Sequence, residues 1–305
     1  MARRKIKLPP APGRTASALR GLGYEFGPAI CDLVDNSIAA NAKVISVKIG
    51  FDSDNSPLVT VIDNGDGMNE EGLINAMKIG SDEREDPNSL GKFGFGLKTA
   101  STAFCRELEV TTKQKGRQKD LISATYDIDE IVKKDDWEID IGDAKRAQED
   151  EFADQQENLG LLAEEKTPHG TLISWKKVDR LLLTRKGTEY SSLSAGLNTK
   201  IDEAKEQVGK VFHRFLNTKD NRTDNIKIFI NEDPVQFWDP FCEDFSKEIK
   251  PTVKKTLDVL ELESGNSHEA KLRGFILPLD KELEGWEKGV HEISLKNQGI
   301  YAYRE

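Results

Sequence analysis

The sequence is poor in the residues that carry redox and metal chemistry. Its 305 residues include three cysteines, three methionines and four histidines. Cys31, Cys105 and Cys242 stand far apart, which excludes a disulfide framework or a zinc site of paired cysteines and suits a reducing compartment. The histidines are scattered as well, so sequence neighbours assemble no metal cluster. No run approaches the ~18 apolar residues of a membrane span. The start, MARRKIKLPP, is basic but lacks the apolar stretch of a signal peptide. Positive charge is in deficit: 44 Lys and Arg face 54 Asp and Glu, a net charge of -10. Phosphate backbones are bound by clustered Lys and Arg, so a chain this acidic is a poor candidate for a stand-alone polyanion-binding module. A hydrophobic share of 37% still supports a packed core. These absences leave a soluble globular protein, without membrane contact and expected in the cytoplasm.

Residues 1–20 read as an arm, because Pro9, Pro10, Pro12 and Gly13 discourage regular structure. A helix is predicted over 27–42, with Pro28 at its start and Ile30, Leu33, Val34 and Ile38 on one apolar stripe. Residues 44–49 and 58–62 read as a hairpin, joined by Ser53-Asp54-Asn55-Ser56-Pro57. A short helix over 69–78 precedes a long Gly-, Ser- and Asp-rich loop over 80–96, and a further helix opens at Leu97. Strands are expected at 108–112, 122–126 and 172–175. Between them, residues 129–157 hold twelve acidic and four basic residues and read as a solvated insertion with broken strands. A shift towards Thr, Ser and Gly at 177–198 marks a domain boundary. Beyond it, Ile201, Ala204, Val208, Phe212 and Phe215 share one helical face, and 226–230, 253–262 and 269–276 read as strands. The chain stops in a strand-like 299–305 without a closing element, which predicts a truncated domain.

Four short segments carry chemistry. In the first, Asp32-Leu33-Val34-Asp35-Asn36, Asp32 and Asn36 are four apart and share a helix face opposite the apolar stripe. A carboxylate there can deprotonate a water, and a carboxamide one turn away can meet a hydrated magnesium ion. The same pattern also fits a plain solvated face. In the second, Asp63-Asn64-Gly65-Asp66-Gly67-Met68 follows an apolar strand. A buried Asp can accept from an exocyclic amine and the glycines let a flat ring approach, though a Gly-rich turn reads alike. In the third, Gly91-Lys92-Phe93-Gly94-Phe95-Gly96-Leu97-Lys98 opens a helix with exposed N–H groups suited to phosphate, or is a flexible connector. It is neither a P-loop nor a dinucleotide fingerprint. The fourth, Gly170-Thr171, opens a strand and offers a hydroxyl to a base.

In order, spacing and context, the four together resemble the boxes of the GHKL ATPase superfamily of gyrase B subunits, ninety-kilodalton heat-shock chaperones, histidine kinases and MutL. Leu22-Gly23-Tyr24, Asp32 to Ile38 and Gly94 to Ser101 are most similar to MutL and microrchidia (MORC) proteins. Ile228-Phe229-Ile230-Asn231, Trp238-Asp239-Pro240-Phe241 and Gln298 to Arg304 are similar to the transducer region of those families. The resemblance implies an α+β fold. An arm over 1–20 leads into a Bergerat-type α/β sandwich ATP-binding domain over 21–180, with the acidic insertion at about 129–157. A partial ribosomal-S5-like transducer domain follows over 181–305.

By this resemblance Asp32 is the general base and Asn36 holds magnesium. Asp63 takes the adenine amino group, and Gly65, Gly67 and Met68 shape the base pocket. Gly91, Lys92, Phe93, Gly94, Phe95, Gly96, Leu97 and Lys98 meet the phosphates, mostly through backbone, and Thr171 supports the base. The cofactors are ATP and Mg2+. ATP orders residues 80–97 over the phosphates and an ATP-dependent homodimer closes, with DNA contact left to regions outside this chain. Two departures stand out: Asp32 replaces the usual glutamate, and Ala39 replaces a frequent acidic residue. The shorter side chain changes the reach by about 1 Å, a misplacement that can cost ~100-fold in rate, so slow hydrolysis is expected. No transducer lysine is assignable; Lys296, Gln298 and Arg304 lie nearest. The expected role is a clamp in DNA repair, restriction or genome defence. A protein-remodelling chaperone and a nucleotide-binding scaffold with little turnover remain alternatives. A histidine kinase needs a phosphoacceptor His before the ATP domain, and the first 20 residues hold none.

Overall fold

The computed structural model describes residues 5, 8–80, 96–117, 121–166, 168–183, 187–188, 190–249 and 274–278. The loop residues Gly91 to Phe95 and the strand expectations at 253–262 and 299–305 lie outside the described residues. One unit is built by residues up to Gln236 and a second by Phe237–Tyr303.

Alternation of buried side chains creates the sheet of the first unit. β1 (Val44–Phe51) and β2 (Pro57–Asp63) form the expected hairpin, from Ile45 opposite Asp63 to Phe51 opposite Pro57. Asp52 shapes its turn by accepting from the N–H groups of Asp54 and Ser56 at 2.9 and 2.8 Å. β3 (Cys105–Lys113), β4 (Leu121–Asp127), β5 (Asp140–Asp143), β6 (Gly170–Val178), β7 (Lys227–Ile230) and β8 (Asp233–Pro234) complete eight strands in the order β5-β4-β3-β6-β2-β1-β7-β8. Neighbours are antiparallel except β7, which pairs parallel with β1. The result is a mixed α/β fold.

One face of the sheet presents Ile45, Val47, Val61, Leu108, Val110 and Ile173 to the main core. The helix α2 (Phe26–Ala39) lies there. Phe26, Ala29, Ile30, Leu33 and Val34 are buried at helical spacing, while Asp32 and Asn36 are half-buried. The helix starts before Pro28, which still falls in the first turn, where its missing N–H leaves no bond unmade. Trp175, fully buried, stacks on Phe104 at 5.6 Å, and Phe26 meets both rings edge-on. The opposite face places Val44, Ile62 and Leu172 against Phe152 and Leu159.

Two expectations need correcting. The proline-rich arm contains α1 (Pro12–Leu19), because Pro12 occupies a first-turn position where proline is pre-set for a helix. The acidic stretch is ordered as α5 (Ile128–Lys134), β5 and α6 (Arg146–Ala163), and α6 buries Phe152, Gln156 and Leu159. The remaining helices of this unit are α3 (Glu70–Met77), α4 (Gly96–Thr102), α7 (Leu193–Val211) and α8 (His213–Leu216). α7 packs on α2, and β7 lengthens the sheet, so residues beyond 181 contribute to the first unit. In the second unit, β9 (Lys247–Ile249) pairs antiparallel with β10 (Gly274–Ile276), and the Phe241 ring lies 5.0 Å from Phe275.

Candidate active site

Asp63 ends β2 at 3% exposure. Three neutral donors hold its carboxyl: Ser37 Oγ at 2.7 Å on Oδ2, and the N–H groups of Gly65 and Thr171 at 2.8 and 3.2 Å on Oδ1. Burial pushes its pKa up, and the three hydrogen bonds pull against that without overcoming it. An ionised carboxylate is acceptor-only, so a group added here must be a donor, as an exocyclic amine is.

The glycines around it serve the chain's own close packing. Gly170 sits at φ +132°, and a Cβ there would come within 1.9 Å of the Asp63 carbonyl oxygen. Gly67, at φ +63°, would place a Cβ 2.1 Å from the Lys113 carbonyl oxygen. Met68, half-buried, donates its N–H to Thr112 Oγ1 at 3.0 Å, and Thr112 Oγ1 lies 3.0 Å from Thr171 Oγ1. Asp63, Gly65, Gly67, Met68 and Thr171 therefore converge on one spot. Two further side chains brace the loop. Gln156 of α6 donates to the carbonyls of His169 and Asp63 at 3.0 and 3.4 Å, and His169 Nδ1 lies 2.7 Å from the Gly65 carbonyl.

A second cluster centres on Asp32 of α2, five residues before Ser37. Tyr24 donates its hydroxyl to Asp32 Oδ2 at 2.6 Å, and Asn36 Nδ2 donates to the Asp32 carbonyl at 2.8 Å. That bond orients the carboxamide so that its oxygen faces away from the carbonyl. Gly96, the first residue of α4, lies beside this carboxylate; a Cβ there would be 3.6 Å from Asp32 Oδ2. Leu97 packs half-buried against the main core. Lys98, expected to offer charge to phosphate, is 3% exposed and donates to the Ala76 carbonyl at 2.8 Å, in the last turn of α3. Asp32 and Ser37 are five residues apart on one helix, a rise of about 7.5 Å. One rigid element thus spans both clusters.

The residues present fit a magnesium ion of the substrate-bound kind. Among the described residues no group of three or more His, Cys, Asp or Glu could hold a metal ion. An ion liganded chiefly by phosphate oxygens and water needs only one or two protein oxygens, which the Asn36 carboxamide can supply.

Sequence reasoning gave no role to Ser37, Tyr24, Thr112, Gln156 or His169. Ser37 and Tyr24 stood within the segments that carried the resemblance. Thr112 is one of two adjacent buried threonines in β3, and nothing in the sequence singled it out. Gln156 was hidden in a stretch read as solvated.

Residues 24–158 match the family described as Histidine kinase-, DNA gyrase B-, and HSP90-like ATPase. Protein MICRORCHIDIA 3 of Arabidopsis thaliana is 33% identical over 85 residues, 27% of this chain and 14% of that protein. Protein MICRORCHIDIA 1 of the same plant is 34% identical over 82 residues, 26% and 13% of the two chains. ATPase MORC2B of Mus musculus is 29% identical over 118 residues, 36% and 11%. The matched stretches span well under a fifth of these relatives.

Proposed function

We propose that this chain, whose residues 24–158 carry an ATPase domain of the GHKL family, binds ATP, hydrolyses it slowly and uses the cycle to gate its own dimerisation. Asp63 takes the adenine amino group, Gly65, Gly67 and Met68 wall the base, and Thr171 supports it. Asn36 holds a magnesium ion, which when bound offsets phosphate charge. Asp32 accepts the proton of the water that attacks the γ-phosphate, giving ADP and phosphate. Residues 91–98 meet the phosphates. The observation that carries the reading is the single helix α2. It bears Ser37, which holds Asp63, with Asn36 the residue before it and Asp32 five residues earlier on the same helix.

Nucleotide binding favours pairing of two chains through the same face. The likeness to microrchidia proteins suggests a clamp in DNA repair, restriction or genome defence, with DNA reached by regions outside this chain. That part is analogy at the level of the fold. The free, buried Cys31, Cys105 and Cys242 are in keeping with the cytoplasm, and no helix among the described residues is long and apolar enough to cross a membrane. A second reading, a nucleotide-binding scaffold, is favoured by the short Asp32 side chain with one oxygen already engaged by Tyr24.

ATP turnover and sedimentation with and without a non-hydrolysable ATP analogue test both. The clamp requires slow turnover and a nucleotide-dependent dimer in the wild type. Asp32→Asn should stop turnover and keep the dimer, and Asp63→Asn should lose nucleotide. Binding without hydrolysis, unaltered by Asp32→Asn, selects the scaffold.

A further inference from the structure

Asp32 does not stand alone in its pocket. The Tyr24 phenol, in the connector between α1 and α2, donates to Asp32 Oδ2 at 2.6 Å. The side chain of Thr99, a buried residue of α4, stands near the same phenol and works to lower its pKa, while Thr99 Oγ1 donates to the Gly96 carbonyl at 3.5 Å. Gly96, one turn before Thr99, lies against the same carboxylate. The Tyr24 phenol and the start of α4 therefore reach the acid on α2 from two separate stretches of chain.

We propose that Tyr24 is a positioning residue for hydrolysis, holding Asp32 in its working rotamer and tying that rotamer, through Thr99, to the placement of α4. The proposal rests on the ATPase reading above. An aspartate has two side-chain torsions, and a fixed bond to Oδ2 removes both freedoms at once. With Oδ2 committed, Oδ1 is the oxygen that can take the proton of a water. The phenol can keep this role at any working pH, because burial, and then the Asp32 bond, push its own pKa up to about 12. The benefit of the hydrogen bond lies in geometry. A carboxylate one methylene shorter than glutamate has more to gain from such an anchor, since its reach has less slack.

Steady-state kinetics and affinity for a fluorescent ATP analogue, measured on the whole 305-residue chain, test this. Tyr24→Phe should lower kcat by ~10–100-fold, the scale of an ångström misplacement, while nucleotide affinity stays within about twofold. Thr99→Val should lower kcat in the same sense, and Thr99→Ser, which keeps the hydroxyl, should restore it. The Tyr24→Phe/Thr99→Val pair should be no worse than Tyr24→Phe alone, because both loosen one anchor. Thermal unfolding of each variant identifies any that merely fails to fold, and Thr99→Val then carries the test. Wild-type turnover with a kcat unmoved by Tyr24→Phe, or a loss confined to nucleotide affinity, overturns this proposal alone. A wild type that binds ATP and never hydrolyses it overturns the ATPase reading and this proposal together.

Discussion

Asp63 is a buried acid held only by neutral donors, and that gives it a measurable pH signature. Its pKa is raised in the folded chain because burial disfavours the charge more than Ser37, Gly65 and Thr171 favour it. A group whose folded pKa exceeds its unfolded value adds stability fully below the unfolded pKa. It loses that stability as pH rises towards the folded pKa. Asp63→Asn has no such charge, so the stability of wild type minus that of the variant should fall as pH rises above the ordinary carboxylate range. Each unit of displacement is worth ~1.4 kcal/mol, enough to resolve by urea titration. A difference flat with pH would show the acid is not strained by burial. A second expectation follows from the acceptor-only carboxylate: ATP should bind better than GTP, whose ring shows an oxygen where adenine shows an amine. Competition with a fluorescent ATP analogue measures the ratio. Asp63 was legible because an acid at the end of an apolar strand before Gly65 and Gly67 is chemically conspicuous. Ser37 was not, because a serine on the buried side of a helix reads like packing until its partner is seen.

At the scale of the element, α6 is the part that sequence composition concealed. Residues 129–157 are dominated by acids, and composition argued for a solvated insertion. The helix needs only a narrow stripe to dock, and Phe152, Gln156 and Leu159 recur at intervals of four and three along it. Phe152 and Leu159 pack on Val44, Ile62 and Leu172, the sheet face opposite α2. Leu159 is fully buried, so Leu159→Ala should destabilise the chain by ~2–5 kcal/mol, read from chemical denaturation. Gln156→Ala should act differently. It removes the braces on the Asp63 and His169 carbonyls, so it should weaken nucleotide affinity by several-fold while costing about 1–3 kcal/mol of stability. Equal nucleotide affinity in Gln156→Ala and wild type would mean the loop holds itself. The strands of the hairpin, by contrast, were readable directly, since alternation and the Asp52–Ser56 turn leave one pairing that keeps Ile45, Val47 and Val61 on the core side.

At the scale of the molecule, the sheet of the first unit is completed by chain from well beyond the four boxes. β7 pairs with β1 from Val44 opposite Lys227 to Val47 opposite Ile230, and Asn231 exchanges bonds with Ile49 at 2.7 and 2.9 Å. α7 lies on α2, the helix that carries Asp32, Asn36 and Ser37. Such long-range pairing leaves no local trace, which is why a shift in composition near 177–198 looked like the end of a domain. Leu197, Val208, Phe212, Ile226, Ile228 and Ile230 are all buried in the main core. At ~1.5–3 kcal/mol each, their burial amounts to roughly 9–18 kcal/mol. The net stability of a whole domain is only ~5–15 kcal/mol, so the two are comparable. A fragment of residues 1–180 should therefore lack a cooperative thermal transition and bind no nucleotide. A fragment of residues 1–236 should unfold in one step and bind the fluorescent ATP analogue like the whole chain. A shorter fragment that folded and bound equally well would mean that α7 and β7 only decorate the site. Loss of both properties would mean that the helix bearing Asp32 and Asn36 is held in place by residues 181–236, which contribute none of the chemistry.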